Sequence, residues 1–395
     1  MLSKDSFPII QATLPVVKAN GEKITRHFYA RMFEHHPALK NLFNMGNQAS
    51  GEQAQALANA VYGYAANIDK QEIIDPILNR IAHKHVSLGI TPAQYTIVGR
   101  HLLSSIKEVL GDAVTPSVMA AWDEAYWLMA CDLIAREARH YQSIHWNPGQ
   151  EWNDMEVVEK IHCALDVVSL YLRPKNSHQS MTFLPGQYVS VCLPVAELGL
   201  TQNRQYSLSN SPLEGVWRIT VKREQPKFGP KGNVSNLIYD QLAVGNSILV
   251  GPPAGEFVVE DQPTPIVLLS AGIGITPMIS ILRDLAVHDS PRKIVFAHAT
   301  SQLENIPHLD EINREVQNLS DAQLNLWLEH SSFNYDSFSG RMDLSQLKDL
   351  PLDADFYICG PMPFIQAQKH WLISAGVCVN KIHYEAFGPD VFGGH

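Results

Sequence analysis

Several short segments of this chain combine residue types in patterns that suit cofactor and redox chemistry. Arg204-Gln205-Tyr206-Ser207 sets a guanidinium, a flat phenol ring and a hydroxyl in succession. An arginine can hold a pyrophosphate through charge-assisted hydrogen bonds, the ring offers a stacking face, and the serine can bond a ring edge. Ala271-Gly272-Ile273-Gly274-Ile275-Thr276-Pro277-Met278 ends an apolar run with two glycines and enters a helix at Thr276-Pro277. Glycines let the backbone approach a pyrophosphate, and a helix N-terminus attracts it. The full dinucleotide fingerprint would place a third glycine where Pro277 stands. Gly232-Asn233-Val234-Ser235-Asn236 reads as another turn entering a helix, and Phe356-Tyr357-Ile358-Cys359-Gly360-Pro361 as another strand end. Cys359 has no histidine or basic neighbour in its motif to activate it, so it is not a nucleophile. In the first half, His85 shares a helical face with Leu78, Ile81 and Leu88 and so points inward. Taken alone, a histidine on such a face is more often a hydrogen-bonded core residue than a metal ligand.

The elements that must position these residues change character along the chain. Residues 1 to about 140 repeat apolar positions at three and four, which predicts helices. Thr91-Pro92 and Thr115-Pro116 each place a capping residue before a proline at the first helical position, and Asp75-Pro76 is expected to open the helix that carries His85. Ala120 to Tyr141 reads as a long amphipathic helix with Trp122, Tyr126, Met129 and Leu133 on one side. A linker is expected over 141–151, around Trp146-Asn147-Pro148-Gly149. Over 152–262, alternating runs such as 167–172 and 217–221 between turn residues predict a small antiparallel β-barrel. Over 263–395, continuous apolar runs at 266–269 and 294–297 alternate with helical stretches, as in a parallel α/β sheet.

Composition narrows the class. At 395 residues the chain needs more than one core, and 45% hydrophobic with 18% charged residues is ordinary for a folded domain set. The formal net charge of −10 argues against nucleic acid, which calls for a basic face. No stretch approaches the ~20 apolar residues of a membrane span, and the start lacks a signal-peptide pattern. The five scattered cysteines form no C-x-x-C pair, which disfavours a disulfide framework, a zinc knuckle and a covalently attached heme. A reducing cytoplasm, a monomer and no stable membrane insertion are expected.

In order and spacing, the segments from Arg204 to Ser207, Ala271 to Met278, Cys359 to Met362 and Tyr384 to Pro389 resemble the signature of the ferredoxin-NADP reductase superfamily. With a helical segment of globin size before them, the whole chain resembles the flavohemoglobins. That resemblance implies an all-α globin domain holding heme b, an antiparallel β-barrel holding FAD, and an α/β domain that takes NADH or NADPH. It implies that His85 ligates the iron, with Tyr95 and Glu137 hydrogen-bonding its ring. On the opposite wall, in Thr25 to Phe33, Tyr29 reaches the iron's ligand, joined by Gln53. Phe43 and Leu57 line the pocket, and Lys84 is a candidate partner for a propionate. In the barrel, Tyr188 and Arg204 through Ser207 contact FAD, and Gly232, Val234 and Ser235 cradle its phosphates. Gly272, Gly274, Thr276 and Pro277, together with Cys359, Gly360 and Pro361, surround the nicotinamide nucleotide. Phe387 covers the flavin until nicotinamide displaces it, and Glu385 biases its potential. Many members carry cysteine where this chain has Ala386, so no thiol acts there. The residues trailing to His395 are expected to form a flexible end.

The implied activity is oxidation of nitric oxide to nitrate by oxygen, with electrons passed from NAD(P)H through FAD to heme. No arginine immediately follows the strand expected to end near Ala299, which favours NADH. Two other classes stay open at this stage: a flavin reductase whose helical part docks a separate acceptor, and an oxygen or nitric oxide sensor whose iron the reductase resets.

Overall fold

Thr91 and Thr115 fix two of the helices that frame the first domain. Thr91 forms a reciprocal capping box with Gln94 ahead of Pro92, and Thr115 Oγ1 accepts from the Val118 N–H at 3.3 Å ahead of Pro116. The computed structural model describes residues 2–146, 152–176, 181–225, 232–330 and 336–387. Its helices are α1 (Ser6–His35), α2 (Met45–Ser50), α3 (Glu52–Ala66), α4 (Gln71–Leu88), α5 (Pro92–Leu110) and α6 (Pro116–Ser143). Phe28, Met32, Leu78, Leu102, Tyr126 and Leu133 meet in one core between them.

The expected start of the His85 helix needs correction. α4 begins at Gln71, and Pro76 lies inside it. A proline there forgoes one ladder hydrogen bond. The extra turn is held by Ile73 and Ile74, whose N–H groups bond Lys70 O at 3.0 and 3.2 Å, and by burial of Ile74 at 2% exposure. At the other end α6 runs to Ser143 and Trp146 is buried, while 147–151 and 388–395 lie outside the described residues.

Beyond the helices come β1 (Asn153–Ala164), β2 (Val167–Pro174), β3 (Tyr188–Val195), β4 (Leu200–Ser207), β5 (Trp217–Lys222), α7 (Asn233–Asp240) and β6 (Ser247–Val250). The strands form one sheet in the order β4-β3-β6-β1-β2-β5. β1 pairs antiparallel with β2 and β6, and β2 with β5. An antiparallel bridge between Leu208, just past β4, and Ile219 of β5 joins the two edges and closes the barrel.

The last part contains β7 (Ile266–Ala271), α8 (Ile275–Val287), β8 (Ile294–Thr300), α9 (Leu309–Asn318), β9 (Ala322–Leu328), β10 (Phe338–Ser339), β11 (Asp355–Cys359), α10 (Met362–Ser374) and β12 (Ile382–Glu385). These six strands are parallel, in the order β10-β9-β8-β7-β11-β12. Leu268 and Phe296 pack toward α8 and α9, while Val267, Leu269 and Val295 pack toward α10. Burial on both faces is why these strands read as unbroken apolar runs.

The chain divides into two compact units. The first holds the helices through Trp152 together with Cys192–Arg204; the second holds Asn153–Val191 and the chain from Gln205 onward. Inside the first unit, Thr201 N–H bonds Asn41 Oδ1 at 2.9 Å, Asn203 Nδ2 bonds Asn41 O at 3.3 Å, and Met45 N–H bonds Gln202 Oε1 at 3.1 Å. Inside the second, Arg218 of β5, 1% exposed, pairs with Glu311 of α9 at 2.8 and 2.9 Å. Arg283 of α8 bridges the same Glu311 (2.8 Å) to Glu214 (3.0 Å).

Candidate functional site

Three helices bring His85, Tyr95 and Glu137 together. His85 lies in the last turn of α4, which Gly89 ends with φ of 68°. Its Nδ1 is 2.9 Å from Glu137 Oε1 and 2.8 Å from the Tyr95 hydroxyl, and that hydroxyl in turn donates to Glu137 Oε1. Glu137 is 3% exposed. Burial first, then the Glu137 charge, push the Tyr95 phenol far above its ordinary range, so it stays protonated and donates. With that proton spent on the carboxylate, the Nδ1 position carries the ring proton and donates to both oxygens. Nε2 then keeps an unshared lone pair, as a metal ligand requires. Tyr126 locks the arrangement by donating to Tyr95 O at 2.5 Å. Its ring lies so close to α5 that a Cβ on Gly99 would fall 2.3 Å from it.

Across the same unit, Tyr29 of α1 is buried, and burial raises its phenol well above the ordinary range. Its ring stacks on Phe33 at 5.8 Å and meets Phe43 edge-on at 5.5 Å. Two side chains hydrogen-bond its hydroxyl: the expected Gln53 of α3 and also Gln48 of α2. Sequence reasoning passed over Gln48. Its only signal was a long amide five residues before Gln53 in a glycine-flanked helix too short to show a period. Gln48 Nε2 and Gln53 Oε1 are buried without partners. Phe33, Phe43, Leu57 and Ile81 pack on the core yet stay partly exposed. Half-covered apolar walls, an available imidazole lone pair and unpaired buried amide atoms fit a flat apolar macrocycle with a small ligand. Lys84 is exposed on α4 beside His85.

On the barrel, Arg204 through Ser207 end β4, with Ser207 buried and the other three partly so. Tyr188 opens β3, where Gly186 allows the chain past Phe257: φ is 99°, and a Cβ would fall 1.9 Å from Phe257 O. Beyond Lys222 of β5 come Glu224 and then α7. There Gly232 N–H bonds Glu224 O at 3.0 Å at the start of α7, and Ser235 Oγ accepts from Glu224 N–H at 3.2 Å. Val234 is fully buried beneath that turn. Each of these groups, a guanidinium, an aromatic face and a helix N-terminus, is of a type that suits a flavin nucleotide.

Strand register assembles the remaining segments. Cys359 of β11 sits opposite Ser270 of β7 on one side and Glu385 of β12 on the other. A Cβ on Gly274 would fall 2.4 Å from Cys359 O and 2.7 Å from Gly360 N, so the two glycine motifs touch through backbone. By contrast, a Cβ on Gly272, with φ of +54°, would meet open space, where a nucleotide can approach. Thr276 and Pro277 are buried in the first turn of α8 and Pro361 caps α10. Burial, followed by the Glu385 charge, raises the Cys359 thiol well above its ordinary value, so it remains an unreactive thiol. Phe387 is 48% exposed, as a ring available to cover a bound cofactor would be.

Comparison with known proteins gives three family matches. The Globin model matches residues 26–133, the Oxidoreductase FAD-binding domain 154–259 and the Oxidoreductase NAD-binding domain 268–370. A flavohemoprotein of Rhizobium meliloti is 43% identical, covering 99% of this chain and all of that one. One from Bordetella pertussis is 42% identical over 98% of this chain and 99% of its own length. The crystal structure of flavohemoglobin from Malassezia yamatoensis with bound FAD and heme superposes with a TM-score of 0.89 at 33% identity, covering 98% of this chain and 100% of that one. Likeness at this level runs over the whole length, the helical part as well as the two nucleotide domains, and so the chain belongs to the flavohemoproteins.

Proposed function

We propose that this flavohemoprotein is a nitric oxide dioxygenase: 2 NO + 2 O2 + NAD(P)H → 2 NO3− + NAD(P)+ + H+. The observation that carries the reading is the buried carboxylate of Glu137 on His85 Nδ1. A charged acceptor on the outer nitrogen makes the imidazole a stronger donor, which favours oxygen activation over simple reversible binding. When bound, heme supplies the iron where the gases react, and FAD converts a hydride into single electrons.

The residues divide the remaining work. His85 Nε2 would hold the iron, Phe43 and Leu57 exclude water around the ring, and the Tyr29 hydroxyl steadies the ligand with its proton. Arg204 and the start of α7 at Gly232 would grip the FAD pyrophosphate, while Tyr188, Gln205, Tyr206 and Ser207 orient the flavin. Gly272, Gly274 and Thr276 receive the dinucleotide phosphates; Cys359, Gly360 and Pro361 fix the nicotinamide edge; Phe387 yields its place as nicotinamide arrives. β8 ends at Thr300 and continues Ser301-Gln302, without an arginine to clamp a 2′-phosphate, so NADH is the expected donor. The protein is expected to act as a cytoplasmic monomer.

The test is the absorption spectrum of the purified protein before and after anaerobic NADH, followed by nitric oxide consumption in air. The expected result is flavin bleaching, a shift of the heme band to the ferrous form, and steady turnover. Flavin bleaching without a heme band, in cells supplied with heme, would leave only a reductase. Heme reduction without sustained nitric oxide consumption would leave a sensor.

A further inference from the structure

From His85 a line of oxidisable side chains leads to the surface of the helical domain. The Tyr95 ring lies 5.8 Å from the His85 ring, centroid to centroid, and its hydroxyl is 2.8 Å from His85 Nδ1. Tyr126 of α6 donates to Tyr95 O at 2.5 Å, and its ring meets that of Trp127 edge-on at 5.5 Å. Trp127 is 38% exposed, the one exposed tryptophan among the seven of the chain. Tryptophan is on average highly buried in folded proteins, so the other six follow the ordinary pattern and Trp127 departs from it.

The hydrogen bonds along this line assign each ring a different part. A phenol gives up an electron readily only when its proton can leave as well. Tyr95 has a base in place, since its hydroxyl donates to the buried Glu137 carboxylate. Tyr126 donates to a backbone carbonyl, which accepts a hydrogen bond but does not take up a proton, so Tyr126 bridges its neighbours without holding charge. An indole loses an electron first and releases its N–H proton to water afterwards, which an exposed Trp127 permits. Electron transfer slows exponentially with the gap between rings, so a series of close contacts conducts where one long jump does not.

We propose that Tyr95, Tyr126 and Trp127 conduct oxidising equivalents from the heme pocket to the surface, giving the protein a second activity: reduction of hydroperoxides by small phenols that react at Trp127. The balance is ROOH + 2 ArOH → ROH + H2O + 2 ArO•. The O–O bond breaks, and the two electrons enter one at a time through Trp127. At each passage the Tyr95 proton shifts to Glu137 and returns when Tyr95 is reduced again. The proposal rests on His85 holding the iron, and not on the nitric oxide reaction.

The experiment treats the ferric, heme-loaded full chain with hydrogen peroxide, as wild type, Trp127→Phe and Tyr126→Phe. A nitroso spin trap followed by peptide mass spectrometry locates the radical. Bleaching of the heme band and oxidation of guaiacol are followed beside it. In wild type the trap is expected on Trp127, and Tyr126→Phe should lose that adduct. Both variants should bleach severalfold faster, because the oxidising equivalent stays at the heme, and oxidise guaiacol severalfold more slowly. Nitric oxide turnover of Trp127→Phe should match wild type. No adduct on Trp127 in wild type, or bleaching that Trp127→Phe leaves unchanged, overturns the proposal. So does a Tyr126→Phe variant that labels Trp127 at the wild-type level, because the route then bypasses Tyr126. Trp127→Phe alters an exposed residue and keeps the test decisive even where Tyr126→Phe loses heme. If wild type binds heme and consumes nitric oxide while Trp127 has no effect, only this route fails; wild type without a heme band removes both readings.

Discussion

At the scale of the residue, the chemistry concentrates in one carboxylate. Glu137 accepts from two donors while nearly sealed from water, so its charge is felt by His85 rather than by solvent. Glu137→Gln keeps an acceptor of the same shape and removes the charge. Nitric oxide turnover should fall about 10- to 100-fold with heme retained, and the iron–histidine stretch should drop in frequency. Steady-state rates and resonance Raman spectra on the same sample check this; unchanged turnover would make Glu137 a purely structural partner. Helical periodicity alone said only that His85 faces inward. Its link to Tyr95 and Glu137 was legible through the family resemblance, because partners on three different helices leave no local pattern. Gln48 stayed hidden for the reverse reason: a long polar side chain in a six-residue helix looks like surface until Tyr29 is placed beside it.

At the scale of the element, turn chemistry was the most readable part of this sequence and proline the most misleading. Thr-Pro pairs located the starts of α5 and α6, but the same logic at Asp75-Pro76 placed the opening of α4 too late. Packing of Ile74 outweighed the ladder bond that Pro76 lacks. Apolar runs identified β7 and β8 as buried parallel strands. The placement of β11 against β7 depends on long-range pairing that no stretch of sequence displays, and it is this pairing that seats Gly274 on Cys359. Since both surfaces at that contact are backbone, neither can move aside for a methyl group. Gly274→Ala should destabilise the second unit by about 1–3 kcal/mol. It should also slow flavin reduction by NADH at least tenfold, leaving the ferric heme spectrum unchanged. Thermal melting and anaerobic stopped flow read the two effects separately.

At the scale of the whole molecule, one buried ion cluster ties the barrel to the parallel-sheet domain within the second unit. Burial alone would raise the Glu311 carboxyl, but hydrogen bonds from His308, Arg218 and Arg283 hold it well below the usual range. Such a depressed carboxylate contributes stability above its unfolded value of about 4.3 and loses it as pH falls through the folded value. Glu311→Gln strands Arg218 without a charged partner and should cost about 3–5 kcal/mol at neutral pH. Below about pH 4.3 the melting temperatures of variant and wild type should converge, a trend calorimetry across pH would settle. A different seam runs through the first unit, where Thr201, Gln202 and Asn203 from the barrel's hairpin hold Asn41 and Met45. Met45 begins the very helix that carries Gln48. A fragment cut after Trp146 would keep every side chain proposed above to face heme and still lose this outside brace. On the proposed function, gas-binding constants measured on such a truncated piece would describe a differently tensioned pocket, and the smallest faithful unit of that chemistry would be larger than the globin.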